Sequence, residues 1–161
     1  MTRQRQYWLF KTEPAEFGIL DLAAQSGGKA RWDGIRNYQA RNNLRDHAAS
    51  GDGVLIYHSS CKEPGVAGIA EVCSEPYPDP AQFDPESDYF DPKSTEEKPR
   101  WYCVDIRHRQ TLEHVIPPAT LKAHPKLVDM VLFRQGRLSV QPVSNVEWQT
   151  ILALAQNASG G

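Results

Sequence analysis

Short strand-like runs recur along this chain without regular helices between them. Residues rich in β-branched and aromatic side chains occupy positions 7–11, 54–59, 66–72 and 101–107, and a last run covers 137–140. The pattern lacks the alternation of one strand with one helix that builds a parallel sheet. We therefore predict an α+β fold in which mixed strands form a small β-barrel with peripheral α-helices.

The helices are indicated by the residues at their ends. A short helix is predicted around residues 19–23 because a pair of glycines follows it. A second helix is predicted over residues 37–47, which begin with an asparagine suited to cap it. The last is predicted over residues 145–155, since Ser144 and Glu147 have the spacing of a capping box.

The composition indicates one folded domain. Of the 161 residues, 40% are hydrophobic and 24% are charged, which is typical of a single globular domain. We predict a folded domain over residues 7–155, with flexible ends at residues 1–6 and 156–161.

Cysteine usage and hydropathy bear on the compartment and on metal binding. Cys61, Cys73 and Cys103 are an odd number without a C-x-x-C pair, so we expect reduced thiols and a cytoplasmic protein. His58 and Cys61 lack a second ligand pair of matching spacing, so neither a metal nor a cofactor is expected. No apolar run reaches the roughly 18 residues of a membrane span, so no membrane partner is expected either.

Charge is distributed unevenly, although the net charge is only −2. Residues 29–45 contain five basic residues against one acid, with Trp32 and Tyr38 among them, a composition suited to stacking on bases and neutralising phosphates. Residues 75–97 contain eight acidic residues against one lysine. They belong to a proline-rich stretch, residues 75–99, which we call the acidic loop. Its length indicates either a functional or a disordered segment, and a solvated surface is its simplest interpretation.

The basic segment contains a motif that points to a family. Residues 32–42, W-D-G-I-R-N-Y-Q-A-R-N, closely resemble the signature of the EVE domain family. Thr12 and Ser60 stand where that family usually has serine and asparagine, and both keep a hydrogen-bonding side chain. The resemblance extends over residues 7–155. Further motifs that fit the family are K-T-E-P at residues 11–14, Y-H-S-S-C-K-E-P-G at 57–65 and R-L-S-V-Q-P at 137–142.

The resemblance implies a PUA-like fold and a nucleic-acid-binding module that recognises a modified nucleobase of DNA or RNA. A base turned out of its strand needs an aromatic face, polar groups for its Watson–Crick edge and cations for the flanking phosphates. The candidates for the nucleobase pocket are Trp32, Asn37, Tyr38, Ser59, Glu13, Thr12, His58 and Gln141. The candidates for phosphate binding are Lys11, Arg36, Arg41 and Arg45.

Several of these residues also have a purely structural interpretation. Trp32 can be a core aromatic residue, Asn37 can serve as a helix cap, and His58 can be a structural hydrogen-bonding residue. Glu13 can be a turn residue, or it can accept a hydrogen bond from an exocyclic amine. Arg41 can brace the fold instead of contacting phosphate.

Two other functions stay open beside a binding module without enzymatic activity. Residues 58–61 place an imidazole near hydroxyls and a thiol, and residues 11–13 have the lysine, threonine and glutamate of small PUA-like hydrolases of modified nucleosides. Neighbouring strand residues point to opposite faces, which separates Lys11 from Thr12 unless the strand bends. The remaining alternative is a protein-interaction module that uses the acidic loop. We assume a monomer throughout.

Overall fold

Seven strands form one mixed sheet in this computed structural model, which describes residues 4–160, with side chains through residue 156. The strands are β1 (Tyr7–Thr12), β2 (Lys29–Trp32), β3 (Gly53–His58), β4 (Gly65–Val72), β5 (Tyr77–Pro78), β6 (Tyr102–Ile116) and β7 (Val140–Val143). Their order is β2-β6-β4-β3-β1-β7, and β5 pairs with β6 outside that path. Only β1 and β3 are parallel among these pairs, so most of the sheet is built from antiparallel neighbours.

Six α-helices surround the sheet in the described part of the chain. They are α1 (Pro14–Phe17), α2 (Ile19–Ala24), α3 (Tyr38–Asn42), α4 (Pro118–Ala123), α5 (Val131–Arg134) and α6 (Asn145–Gly160). One turn of π-helix, Asn43–His47, continues α3. Within the described residues, no helix combines the length and the apolar character needed to cross a membrane.

The parallel pair β1 and β3 determines where the candidate site lies. The register pairs Tyr7 with Gly53 at one end and Thr12 with His58 at the other. Both strands therefore end at the same edge of the sheet. The Ser59 amide then donates to the Thr12 carbonyl across 2.9 Å, so the chain leaves both strands side by side.

The sheet separates two hydrophobic cores because side chains of its central strands alternate between two buried faces. Phe10 and Ile56 belong to the inner core, together with Leu44 of the π-helical turn. Leu9 belongs to the outer core, which α6 covers with Trp148 and other apolar residues. The helix α3 and its π-helical extension pack against β6 and β7, and so close the inner core on the side away from α6.

The predicted α+β class is confirmed by this mixed sheet with its peripheral helices. The capping box of α6 is confirmed as well, since the Ser144 amide donates to Glu147 Oε1 (2.9 Å) and the Glu147 amide donates to Ser144 Oγ (3.1 Å). The helix continues past the predicted end at residue 155 to Gly160. The flexible ends predicted at residues 1–6 and 156–161 fall partly outside the described residues, which exclude 1–3 and 161.

The predicted strand over residues 137–140 is wrong, because the last strand is Val140–Val143. Residues 136–139 form a turn instead, and the Lys11 amide donates to the Ser139 carbonyl of that turn across 2.9 Å. The strand predicted over residues 101–107 continues to Ile116. Strand β2 was not predicted, because its sequence, K-A-R-W, has neither alternation nor β-branched residues.

Candidate functional site

A polar cavity lies at the edge where β1 and β3 end. Its volume is about 440 Å³. Its lining comprises Lys11, Thr12, Glu13, Glu16, Trp32, Asp33, Gly34, Ile35, Ser59, Ser60, Tyr89, Gly136, Arg137 and Ser139. An adjoining cavity of about 270 Å³ shares Thr12, Glu16, Trp32, Asp33 and Tyr89 with it. We call the two together the Trp32 cavity. Five separate stretches of chain converge there.

Trp32, the last residue of β2, is both a core residue and part of this lining. It is only 7% exposed. Its ring packs against Phe10, with centroids 5.6 Å apart, and edge-on against Phe17 at 6.1 Å. The two predicted roles of Trp32 are therefore compatible, because the core contacts fix the indole while a small part of its surface faces the cavity.

Hydroxyl groups line the side of the cavity formed by the ends of β1 and β3. Thr12 Oγ1 donates to the Phe17 carbonyl across 2.6 Å, which holds the end of α1 against β1. Ser59 Oγ lies 3.4 Å from the Thr12 carbonyl, a long and weak contact that leaves this hydroxyl able to rotate. Ser60 follows with a φ of 53°, a left-handed conformation that serines rarely adopt. The strand thus turns sharply as it passes the cavity.

Three carboxylates reach the Trp32 cavity: Glu13, Glu16 and Asp33. No salt bridge to any of them is present among residues 4–156. Partial burial raises the pKa of Asp33, and the nearby carboxylate of Asp79 raises it further. The cavity therefore offers strong hydrogen-bond acceptors. The surroundings of one of them, Asp33, shift its equilibrium towards the protonated form.

Two cations lie at the same mouth, and they differ in how they are held. Lys11 Nζ donates to the Gly136 carbonyl and lies 5.6 Å from the centroid of the Tyr57 ring. Partial burial lowers the pKa of Lys11. Arg137 is exposed, and its guanidinium forms no ion pair with the residues that the structure describes. Lys11 is thus partly committed to the fold, whereas Arg137 is available to solvent.

Tyr89 forms a second aromatic wall of the cavity, and sequence reasoning did not find it. It belongs to the acidic loop and is 41% exposed. Its ring lies against the backbone of Gly34, where a Cβ atom would come within 2.8 Å of the ring. Gly34 also has a φ of 78°. Both the close approach of the ring and this backbone conformation therefore require glycine at position 34. Two adjacent aromatic residues, Tyr89 and Phe90, inside a loop rich in acidic residues and prolines were the available signal.

The acidic loop is ordered by buried hydrogen bonds rather than solvated along its length. The fully buried carboxylate of Asp79 accepts from the Gly34 amide (2.9 Å), the Ala81 amide (2.8 Å) and Arg36 Nη1 (3.0 Å). The buried amide of Gln82 donates to the carbonyls of Asp79 and Trp101, each across 2.8 Å. A loop predicted to be functional or disordered therefore has a fixed conformation beside the cavity.

Arg36 connects this loop to helix α3 through a continuous stack of side chains. Its guanidinium lies 5.4 Å from the Tyr89 ring centroid and 5.4 Å from that of Trp101, and it donates to the Tyr89 carbonyl. Trp101 stacks on Tyr38 with centroids 4.9 Å apart, and Arg41 lies 5.0 Å from the Tyr38 ring centroid. We call Arg41, Tyr38, Trp101, Arg36 and Tyr89 the aromatic stack. It holds the Tyr89 wall in place.

Several predicted site residues do not line the Trp32 cavity. Asn37 accepts from the Ala40 amide across 3.0 Å and so serves as the cap of α3. Tyr38 lies in the aromatic stack. Arg41 Nη1 donates to the Arg100 carbonyl across 2.6 Å, so it braces the fold through a carbonyl rather than a carboxylate. Arg45 pairs with Asp46 at 2.8 Å on the surface.

His58 and Gln141 are structural as well. The Ile19 amide donates to His58 Nε2 across 3.1 Å, which requires an unprotonated nitrogen, and burial lowers the pKa of His58 accordingly. Gln141 is 1% exposed on the outer face of β7, and its amide donates to the Leu138 carbonyl across 2.8 Å. Neither residue lines the Trp32 cavity. Thr12, Glu13, Trp32, Ser59 and Lys11 are the predicted residues that do.

A separate cavity of about 600 Å³ lies between the β3–β4 turn and the end of β6. Lys62, Pro64, His114 and Pro117 are among its lining residues, and none of that lining is phenylalanine, tyrosine or tryptophan. Its aromatic surface is limited to the imidazole of His114, a smaller stacking face than the rings of Trp32 and Tyr89. The Trp32 cavity, whose two parts measure about 440 Å³ and 270 Å³, is therefore the better candidate.

The described residues contain no group of three or more histidine, cysteine or acidic side chains able to hold a metal ion. Cys61, Cys73 and Cys103 are free thiols.

Fold and site together define a PUA-like domain with a polar, aromatic-walled cavity at the end of its central strands. The chain belongs to the EVE domain family, whose model matches residues 6–154. Human thymocyte nuclear protein 1 is 40% identical over 167 aligned residues, which cover 93% of this chain and 74% of that protein.

Solved structures agree with this assignment. A hypothetical protein from Leishmania major is 48% identical with a TM-score of 0.91, covering 96% of this chain and 97% of its own. A protein from Pseudomonas putida is 49% identical with a TM-score of 0.87, and the match covers 92% of this chain and 99% of that protein. The human THYN1 protein in complex with DNA containing 5-methylcytosine is 40% identical with a TM-score of 0.88, covering 93% and 97%. The predicted family and PUA-like fold are confirmed.

Proposed function

We propose that this chain is a DNA-binding module that takes a modified base of the 5-methylcytosine type into the Trp32 cavity. The observation that carries the proposal is a cavity of about 440 Å³ with aromatic and polar walls. It is found in a chain 40% identical to a protein whose crystal structure contains 5-methylcytosine DNA.

The lining of the cavity suits the edge of a cytosine. Cytosine presents an exocyclic amine that donates hydrogen bonds, and Glu13, Glu16 and Asp33 supply acceptors without a competing salt bridge among the described residues. The hydroxyls of Ser59 and Ser60 can donate to the ring nitrogen or carbonyl. Such a polar set fixes the orientation of a ligand, while the ring surfaces of Trp32 and Tyr89 supply contact area.

The way in which the candidate reactive groups are engaged supports binding without turnover. Lys11 Nζ donates to the Gly136 carbonyl and Thr12 Oγ1 donates to the Phe17 carbonyl. A nucleophile needs a base within hydrogen-bond distance, and the hydroxyl of Thr12 is directed to a carbonyl instead. His58 uses Nε2 to accept from the Ile19 amide. These contacts favour a binding module over the hydrolase alternative.

Tyr89 offers the clearest test of the cavity. Replacing Trp32 by alanine would remove a core residue and cost about 3–5 kcal/mol of stability, which would obscure any effect on binding. Tyr89 is 41% exposed, so Tyr89→Ala should fold. We expect it to weaken binding of 5-methyl-2′-deoxycytidine by about 1–3 kcal/mol, the usual contribution of one stacking ring, measured by calorimetric titration.

The matched control is Tyr89→Phe, which keeps the ring and should bind as the unaltered protein does. Unmodified deoxycytidine and the ribonucleoside form the other arms and report selectivity for the methyl group and for DNA. Equal binding by Tyr89→Ala and Tyr89→Phe would exclude the Tyr89 wall from the site. Conversion of the nucleoside during the titration would favour the hydrolase.

A further inference from the structure

The surroundings of the Trp32 cavity restrict the path of a polyanionic strand. Glu13, Glu16 and Asp33 are in its lining, and Glu16 and Asp33 line both of its parts together with Tyr89. Tyr89 brings in the acidic loop, whose residues 75–97 carry eight acids against one lysine, a charge of −7. Phosphates passing on that side would meet like charge, which costs free energy at short range.

The cations predicted to bind phosphate are engaged inside the protein. Arg36 pairs with the buried Asp79 and donates to the Tyr89 carbonyl. Arg41 donates to the Arg100 carbonyl, and Arg45 pairs with Asp46. Each would have to give up a contact within the fold before it could bind a phosphate.

Lys11 and Arg137 are the cations that line the 440 Å³ cavity, and Arg137 is the one that the fold leaves open. Arg31 lines only the adjoining cavity and interacts with Tyr77. Arg137 is exposed, lies at the mouth, and makes no ion pair with residues 4–156. Its turn is fixed at two points, because Lys11 Nζ donates to the Gly136 carbonyl and the Lys11 amide donates to the Ser139 carbonyl across 2.9 Å. The guanidinium is thus presented from a turn of defined position beside the pocket.

We infer that Arg137 binds a phosphodiester group next to the base held in the Trp32 cavity, so that the strand crosses the mouth over residues 136–139. The inference rests on the proposed function. A guanidinium can donate two parallel hydrogen bonds to one phosphate, which fits a contact that positions the strand without reading its sequence.

The test compares Arg137→Ala with Arg45→Ala, which removes an exposed arginine from the π-helical turn Asn43–His47. Both variants are titrated with 5-methyl-2′-deoxycytidine and with a short single-stranded DNA containing one 5-methylcytosine, at two salt concentrations. We expect Arg137→Ala to bind the nucleoside normally and the oligonucleotide about fivefold more weakly. The dependence of its oligonucleotide affinity on salt should become shallower by about one phosphate contact.

The outcomes separate the two proposals. The phosphate subsite is overturned if Arg137→Ala binds the oligonucleotide as tightly as the unaltered protein does. It is also overturned if Arg45→Ala loses as much oligonucleotide affinity as Arg137→Ala. In both cases nucleoside binding would still support the cavity. An equal loss of nucleoside binding in Arg137→Ala would overturn the subsite as well, since Arg137 would then contact the base. If the unaltered protein binds neither ligand, the proposed function and the subsite both fail.

Discussion

Ser60 is the residue at which the backbone beside the candidate site departs furthest from ordinary geometry. Among the described residues it alone combines a side chain with a positive φ, at 53°. That conformation costs a residue with a Cβ about 1–2 kcal/mol, and asparagine tolerates it better than other residues do. The family usually has asparagine at this position, which the left-handed backbone explains.

Substitutions at Ser60 should therefore change stability according to backbone preference. We expect Ser60→Asn to match or exceed the unaltered protein in free energy of unfolding, and Ser60→Val to lose about 1–2 kcal/mol because a β-branched side chain is disfavoured at positive φ. Urea denaturation followed by circular dichroism measures both. Valine that proves as stable as asparagine would contradict the left-handed conformation.

At the residue scale, some of the candidates predicted from the sequence line the cavity and others do not. Trp32 and Ser59 line it. Both were chosen because they belong to motifs that resemble those of the EVE domain family. Asn37 and Gln141 do not line it, because each satisfies a nearby backbone group, and such local hydrogen bonds compete with any ligand. Tyr89 was missed since only the folded loop brings it beside Gly34.

The acidic loop illustrates what can be inferred at the scale of an element. Its composition indicated a solvated surface, yet Asp79 and Gln82 are fully buried within it. Buried carboxylates and amides are retained where they have hydrogen-bond partners, and those partners come from Gly34, Arg36 and Trp101. No periodicity in the sequence reports such distant partners, so the loop could not be assigned from its own residues.

Arg36 is the cation that holds the acidic loop, through its ion pair with Asp79 and its hydrogen bond to the Tyr89 carbonyl. Arg36→Ala would leave the buried Asp79 carboxylate without its cation, and we expect a loss of about 3 kcal/mol of stability. The acidic loop should also open more often, so trypsin should cut faster after Lys93. The bond after Lys98 precedes a proline and resists trypsin in either state, which keeps the assay specific.

Limited proteolysis under native conditions, read by mass spectrometry, measures that opening. Arg45→Ala is the matched control, since Arg45 pairs with Asp46 on the surface and lies outside the aromatic stack. Its cleavage rate should equal that of the unaltered protein. A slow rate after Lys93 in Arg36→Ala would show that the other hydrogen bonds of Asp79 hold the loop by themselves.

At the scale of the whole molecule, one sheet serves two cores and presents the site at its edge. The inner core holds Trp32 and the outer core is covered by α6, so the cavity lies on a scaffold that is packed on both faces. The overall α+β arrangement could be predicted because it depends on the number and spacing of strands. The curvature that brings β2 and residues 136–139 to one cavity depends on long-range pairing, which the sequence pattern does not contain.

The stability of the whole molecule should also respond to alkaline pH through Cys103, a fully buried residue of β6. Burial raises the pKa of its thiol from the ordinary value of 9.0 to about 12. Between those values the unfolded chain has lost the thiol proton and the native protein has kept it. The unfolded state then binds fewer protons, so the free energy of unfolding falls as pH rises. The contribution is complete below pH 9 and is lost towards pH 12.

Cys103→Ala removes this group and should flatten the alkaline loss of stability. Between pH 9.5 and 10.5 we expect the free energy of unfolding of the unaltered protein to fall more steeply than that of the variant, by about 1 kcal/mol per pH unit, since one proton corresponds to about 1.4 kcal/mol per unit. Urea denaturation at each pH measures both slopes. Tyr77 is present in both proteins, and its phenol pKa is raised by burial and in lesser part by Cys103 itself, so its change in the variant acts in the same direction as the loss of the thiol. The two proteins should run parallel between pH 6 and 8, where the thiol is protonated in either state. Equal slopes above pH 9 would mean that Cys103 ionises in the native protein as readily as in the unfolded chain.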